Sequence, residues 1–286
     1  MTSPFTYGMG WLPEMPDFRD YRPGHKEVQS LIAKTAARGV VARGAKKKAP
    51  PSIDLCEFCS PVEDQGTLGS CTAHAAVGLV EYFERKATQK HIDASRLFVY
   101  KVTRNLMHAK GDSGGYLRSA MQALVMFGAP PEEYWPYRIH DFDEEPPAFA
   151  YSLAMNCKAV RYFRLDEPGN TVSQTLARIR EFLAAGYPSM FGFTVYSSID
   201  SSKDGKIAFP EKGERVEGGH AIMTVGYDDA MRVGKEKGAL LIRNSWGAGW
   251  GSKGYGWLPY AYVEAGLADD FWSIQSQSWV DTGAFG

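Results

Sequence analysis

The chain has 286 residues, 44% of them hydrophobic and 13% aromatic, enough apolar material to bury a sizeable core as one two-lobed unit. A formal net charge of -1 gives no field to hold nucleic acid or an anionic membrane surface, and no apolar run approaches the roughly 18 to 20 residues that span a bilayer. Met1 to Gly10 lacks a basic stretch followed by an apolar one, so no secretory signal is expected in it; the compartment stays open between secreted and cytoplasmic.

In chain order, Gly10 to Pro23 comes first, with Trp11, Pro13, Pro16, Phe18, Tyr21 and Pro23, a composition that predicts an extended path held down by apolar anchors. His25 to Ala37 predicts one short helix with Val28, Leu31 and Ile32 on one face. Arg43 to Pro51, with Lys46-Lys47-Lys48, reads as an exposed linker, where cleavage on activation would concentrate. Residues 1–50 are therefore expected to form an N-terminal extension.

A glycine-punctuated turn, Asp64 to Ser70, then leads into a helix that begins at Cys71 and keeps Ala73, Ala76, Val77, Val80 and Phe83 at helical spacing, with Ser70 suited to the N-cap. Further helices are predicted from Ser95 to Arg104 and from Tyr116 to Phe127, the latter stopped by Gly128 and Pro130-Pro131. Asn170 or Thr171 caps a helix carrying Leu176, Ile179, Phe182 and Leu183, which ends at Gly186. Beyond it the period switches to that of strands: Pro188–Tyr196, His220–Tyr227, Gly238–Asn244, Tyr255–Val263 and Asp270–Ile274. The fold class expected is α+β, with a mainly helical lobe over 51–165 and an antiparallel barrel or sheet over 166–286.

A cysteine on the first turn of a helix meets unpaired N–H groups and the positive end of the macrodipole, which favour the thiolate. Taken alone, Cys71 is as readily a small packing residue. The other cysteines, Cys56, Cys59 and Cys157, are odd in number, and Cys56-x-x-Cys59 has no second Cys or His pair to complete a zinc site. No metal and no cofactor are expected.

Five short motifs stand in a telling order: Gly69-Ser70-Cys71, Gly111-Asp112-Ser113-Gly114-Gly115-Tyr116, Gly218-Gly219-His220-Ala221, Asn244-Ser245-Trp246-Gly247 and Trp250-Gly251. In these the sequence resembles the papain and cathepsin family of cysteine peptidases, over about Ile53 to Ile274. Within that family it looks like bacterial members such as xylellain, whose N-terminal extension is short.

The resemblance implies an α+β, two-lobed papain-like fold with a helical left lobe, an antiparallel β-barrel right lobe and the active-site cleft between them. It implies a cysteine-type endopeptidase working on protein or peptide substrates through Cys71, His220 and Asn244 and an acyl-enzyme thioester, Cys71 and His220 forming a thiolate–imidazolium pair. Gln65 would join the Cys71 N–H in the oxyanion hole, and Trp246 would shield the His220–Asn244 contact. Gly114 and Gly115 would let a substrate strand approach, while Tyr116, Leu117, Ala221 and Gly192 would wall a side-chain pocket. From its own aromatic residues and prolines, Gly10 to Pro23 is expected either along or beside the cleft, restricting access as in a zymogen, or packed on the back of a lobe, where it would only add stability.

Leu68 and Asp112 depart from the pattern together, standing where the family has two disulfide-bonded cysteines, and Thr72 replaces an aromatic residue. A papain-like course would bring the strand near Asp54 and Leu55 beside Lys158 to Phe163, which allows a disulfide from Cys56 or Cys59 to Cys157. His74 reads as a packing or solvent-facing histidine. Two other functions share these residues: a non-enzymatic binding module, and an acyl transferase on the same fold.

Overall fold

Helix α1 (Cys71–Thr88) is enclosed along most of its length in the computed structural model, which describes residues 7–26, 28–29 and 49–279. Its Ala73, Ala76, Val77 and Val80 are buried, as their spacing predicts. It also buries Glu81, whose carboxylate takes the Ser60 hydroxyl at 2.5 Å and the Arg96 guanidinium at 2.8 Å, the partnering a charge needs away from water. Helix α2 (Arg96–Leu106) starts where the Ser95 hydroxyl accepts the Phe98 N–H. Helix α3 (Leu117–Met126) stops ahead of Gly128, which has φ +83° and so little room that a Cβ would stand 2.0 Å from the Ala154 carbonyl oxygen. A short helix, α4 (Ala148–Ala154), follows, and α5 (Val172–Ala184) opens with a reciprocal capping box between Thr171 and Gln174.

Seven antiparallel strands form the sheet: β1 (Ser52–Asp54), β2 (Cys157–Arg164), β3 (Ser189–Tyr196), β4 (Val216–Val233), β5 (Glu236–Arg243), β6 (Tyr255–Pro259) and β7 (Ala268–Trp279). The order is β2-β7-β3-β4-β5-β6, with β1 on β4, so the sheet is open and does not close into a barrel. Both of its faces are covered. Ala221, Met223 and Leu241 belong to a core shared with α1, α2 and α3, whereas Ile222, Leu240 and Ile242 belong to a second core shared with α5. Successive side chains on a strand point to opposite faces, so the sheet itself is the partition between the two cores.

The lobes are therefore not halves of the chain. The boundary expected at 165 is crossed by β1 and β2, which come from the helical half and hydrogen-bond into the sheet. Strand β1 pairs with β4 (Ile53 opposite Tyr227), while β2 pairs with β7; the expected neighbourhood of Asp54 with Lys158 to Phe163 does not form, and no disulfide joins Cys56, Cys59, Cys71 or Cys157. The strand expected from Tyr255 to Val263 ends at Pro259, which has no N–H to extend the ladder, and Tyr262 and Val263 enter the second core from a single helical turn, α6 (Ala261–Glu264). Most of the helix expected over 25–37 lies outside the described residues, as does Lys46-Lys47-Lys48; Val28 is buried in the second core.

Candidate active site

Cys71 is the first residue of α1 and is fully buried. Ser70 holds the N-cap position without capping: its hydroxyl is turned to the Tyr137 hydroxyl at 2.6 Å and to His74 Nδ1 at 3.3 Å. The N–H groups at the helix start are thereby left for the thiol. Burial pushes Cys71 up to about 11, against the pull of the backbone N–H groups of Ala221, Gly10, Thr72 and Cys71 itself.

His220 enters from β4, opposite Phe193 of β3, with its ring stacked 4.6 Å from that of Trp246. Its Nε2 lies 2.8 Å from Asn244 Oδ1, and that same oxygen accepts the Ser245 N–H at 2.8 Å. An oxygen already serving as acceptor fixes the tautomer: Nε2 carries the proton and donates, leaving Nδ1 with a lone pair. Among the described residues Nδ1 has no hydrogen-bond partner. Burial pushes His220 down to about 4, against the opposing effect of the Asn244 bond. In this closed arrangement burial disfavours the charged form of both groups, which opposes the thiolate–imidazolium pair implied by the resemblance.

Gln65 is buried, its backbone N–H bonded to the Ser245 carbonyl at 2.8 Å and its Oε1 accepting the Ser245 hydroxyl at 2.5 Å. These contacts aim its Nε2 at the Gly8 carbonyl, 2.9 Å away. Gly8 is part of the N-terminal segment, which runs straight through the cleft. Gly115 N–H donates to the Gly10 carbonyl at 2.7 Å, Leu12 N–H to Gly115 at 3.1 Å and Trp11 N–H to Gly219 at 3.0 Å; Trp11 and Gly115 form a parallel bridge. The fit depends on bare backbone, since a Cβ on Gly114 would stand 2.3 Å from the Gly10 oxygen and one on Gly10 only 1.8 Å from the Gly69 oxygen. Tyr7 stacks on Trp246 at 5.0 Å.

Cys71, His220, Asn244, Gln65, Trp246, Gly114, Gly115 and Ala221 thus converge on one cleft, with Tyr116 at the N-cap position of α3 and Leu117 its buried first residue. Gly192 faces the Trp11 ring. His74 is a packing histidine, buried, with its Nδ1 3.1 Å from the Ser70 carbonyl oxygen and its ring edge-on to Tyr137.

Beyond Trp11, the aromatic anchors expected along Gly10 to Pro23 do not hold the segment, for Phe18 and Tyr21 are exposed. It is stapled instead by Arg118, which pairs with Glu14 and with Asp20 at 2.8 Å, and by Arg164, whose Nη1 donates to the Glu14 carbonyl at 3.0 Å and whose N–H donates to the Tyr21 carbonyl at 2.8 Å. Sequence reasoning missed these arginines, and missed that occupancy starts at Tyr7; the pattern Gly8-Met9-Gly10 was its available signal. It also missed Asp112, whose carboxylate accepts the Gly69 N–H at 2.9 Å and the Tyr100 hydroxyl at 2.5 Å, tying together the two segments where the resemblance implied a lost disulfide.

Residues 49–273 match the family model described as papain family cysteine protease. The chain is 36% identical to an uncharacterized peptidase C1-like protein of Acanthamoeba polyphaga mimivirus, over 96% of this chain and 88% of that one. It is 32% identical to a cathepsin B-like protein of Giardia intestinalis, over 80% and 77% of the two chains. Its fold superposes on the crystal structure of xylellain, a cysteine protease from Xylella fastidiosa, with a TM-score of 0.73 and 32% identity, covering 96% of this chain and 97% of that one.

Proposed function

The chain belongs to the papain family of cysteine proteases and is a cysteine-type peptidase, and we propose that it cuts peptide bonds through Cys71, His220 and Asn244 by way of a thioester. The observation that carries the reading is the His220–Asn244 hydrogen bond of 2.8 Å, which leaves the basic nitrogen Nδ1 uncommitted on the strand whose next N–H, that of Ala221, reaches the Cys71 thiol. Cys71 gives its proton to Nδ1 and the sulfur attacks the substrate carbonyl carbon. The C–N bond then breaks as Nδ1–H protonates the departing amine, leaving an acyl group on sulfur. Water, deprotonated by Nδ1, attacks the thioester, and the thiol leaves with the proton returned to it. Asn244 orients the ring, and Gln65 Nε2 with the Cys71 N–H stabilises the oxyanion.

Residues 7–12 restrict this chemistry in the closed form. They hold Gln65 Nε2 on the Gly8 carbonyl, and they face the thiol with the Gly10 N–H where a reacting substrate would present a carbonyl carbon. Withdrawal of the segment rehydrates both groups, lowering the thiol and raising the imidazole toward an ion pair. The test is hydrolysis of an unfolded protein substrate by the wild type and by Cys71→Ser, His220→Ala and Asn244→Ala. The first two variants lose nearly all turnover and the third keeps a measurable remainder; equal rates in the wild type and Cys71→Ser refute the proposal.

A further inference from the structure

The residue next to Gly10 carries the cleft's largest occupant. The Trp11 indole is buried in a pocket made by the absence of side chains, where a Cβ on Gly192 would stand 1.9 Å from its ring and one on Gly219 2.9 Å. The floor is not apolar. Trp11 Nε1 donates to Asp270 Oδ2 at 3.3 Å, and Asp270 is fully buried.

Strand geometry puts it there. Strand β3 pairs Met190 with Trp272 and then Gly192 with Asp269, so the register slips and Asp270 falls out of the ladder with φ +61°, a left-handed conformation that aspartate tolerates better than most residues. Its other oxygen is already committed, accepting Trp272 Nε1 at 2.7 Å and Arg164 Nη1 at 3.0 Å. Arg164 is itself buried and also pairs with Asp166 at 2.6 Å. The pocket thus offers a flat apolar slot ending in a single open acceptor oxygen with a counter-charge already installed behind it. A guanidinium or ammonium brought to that floor would stand against Arg164 and leave donors unmatched; a plain phenyl ring would leave Oδ2 without a donor. An indole meets both demands with one N–H.

We propose, resting on the reading of Cys71 as nucleophile, that Asp270 is a specificity-determining residue and that the pocket it floors selects peptide substrates bearing tryptophan, over phenylalanine and over basic side chains. The N-terminal segment holds the pocket by supplying the same side chain. Hydrogen bonds to buried acceptors discriminate against ligands that lack the donor, and here the expected margin is roughly tenfold.

The experiment uses the full chain, as wild type and as Trp11→Ala, on peptides identical except for Trp, Phe, Leu or Arg two residues before the bond cut. Acylation of Cys71 is followed by mass spectrometry in parallel. Support is a kcat/KM for Trp roughly tenfold above Phe and above Arg in both proteins, with the Trp-to-Phe ratio falling toward unity in Asp270→Asn. Phe equal to Trp, or Arg preferred, in the wild type overturns the inference whether or not Asp270→Asn folds. Absence of Cys71 acylation with every peptide refutes the peptidase mechanism instead, and this inference with it.

Discussion

Adding one methyl group to the segment in the cleft should open it. In Gly10→Ala the new Cβ would stand 1.8 Å from the Gly69 carbonyl oxygen and 2.5 Å from its carbon, both of them backbone atoms at the turn that mounts Cys71. Neither side can yield by a rotamer change, so the segment must lift. Lifting breaks the Gly115–Gly10 bond at 2.7 Å and the flanking bonds of Trp11 and Leu12 at 3.0 and 3.1 Å. At about 1 kcal/mol for each of two or three such bonds, the open fraction rises roughly 30- to 150-fold. The assay is the initial rate of Cys71 alkylation by a small iodoacetamide-type reagent, alongside kcat/KM on a protein substrate. Gly24→Ala is the control, since a Cβ there meets nothing within 4 Å. Alkylation and turnover should both rise in Gly10→Ala and stay at wild-type values in Gly24→Ala. A folded Gly10→Ala protein with wild-type alkylation and turnover would refute the occlusion.

Arg96→Met should cost about 3 to 5 kcal/mol in denaturant unfolding, because it strands the Glu81 carboxylate in the core; a loss under 1 kcal/mol would count against that pair as a structural element. Asp112→Ala should cost about 1 to 2 kcal/mol and speed Cys71 alkylation, since the Gly69 N–H and the Tyr100 hydroxyl lose their acceptor; an unchanged melting temperature would refute the bracing role. By ring-proton NMR, His220 should titrate near 4 in the wild type and higher in Gly10→Ala. Titration of the wild-type ring near its exposed value of about 6.5 would contradict the closed-state electrostatics.

Local patterns explain what the sequence made legible. Helical spacing after Ser70 located α1, the Thr171–Gln174 pair located α5, and the glycine, histidine and asparagine motifs brought Cys71, His220 and Asn244 to one cleft. What stayed hidden depends on partners distant in the chain. Strand β2 finds its place only against β7, and the register slip that turns Asp270 toward Trp11 belongs to the β3–β7 pairing. A helix N-terminus is visible in a sequence, whereas the burial that pushes Cys71 up to about 11 is not.

In the proposed mechanism Cys71 attacks the substrate carbonyl with His220 as its base. Rapid acid quenching of the full chain during turnover of an activated peptide ester, followed by mass mapping, tests it most directly. One acyl adduct is expected, on Cys71, forming in a burst in the wild type and nearly absent in His220→Ala. An adduct on Cys56, Cys59 or Cys157, or one forming on Cys71 at the same rate without His220, would contradict it.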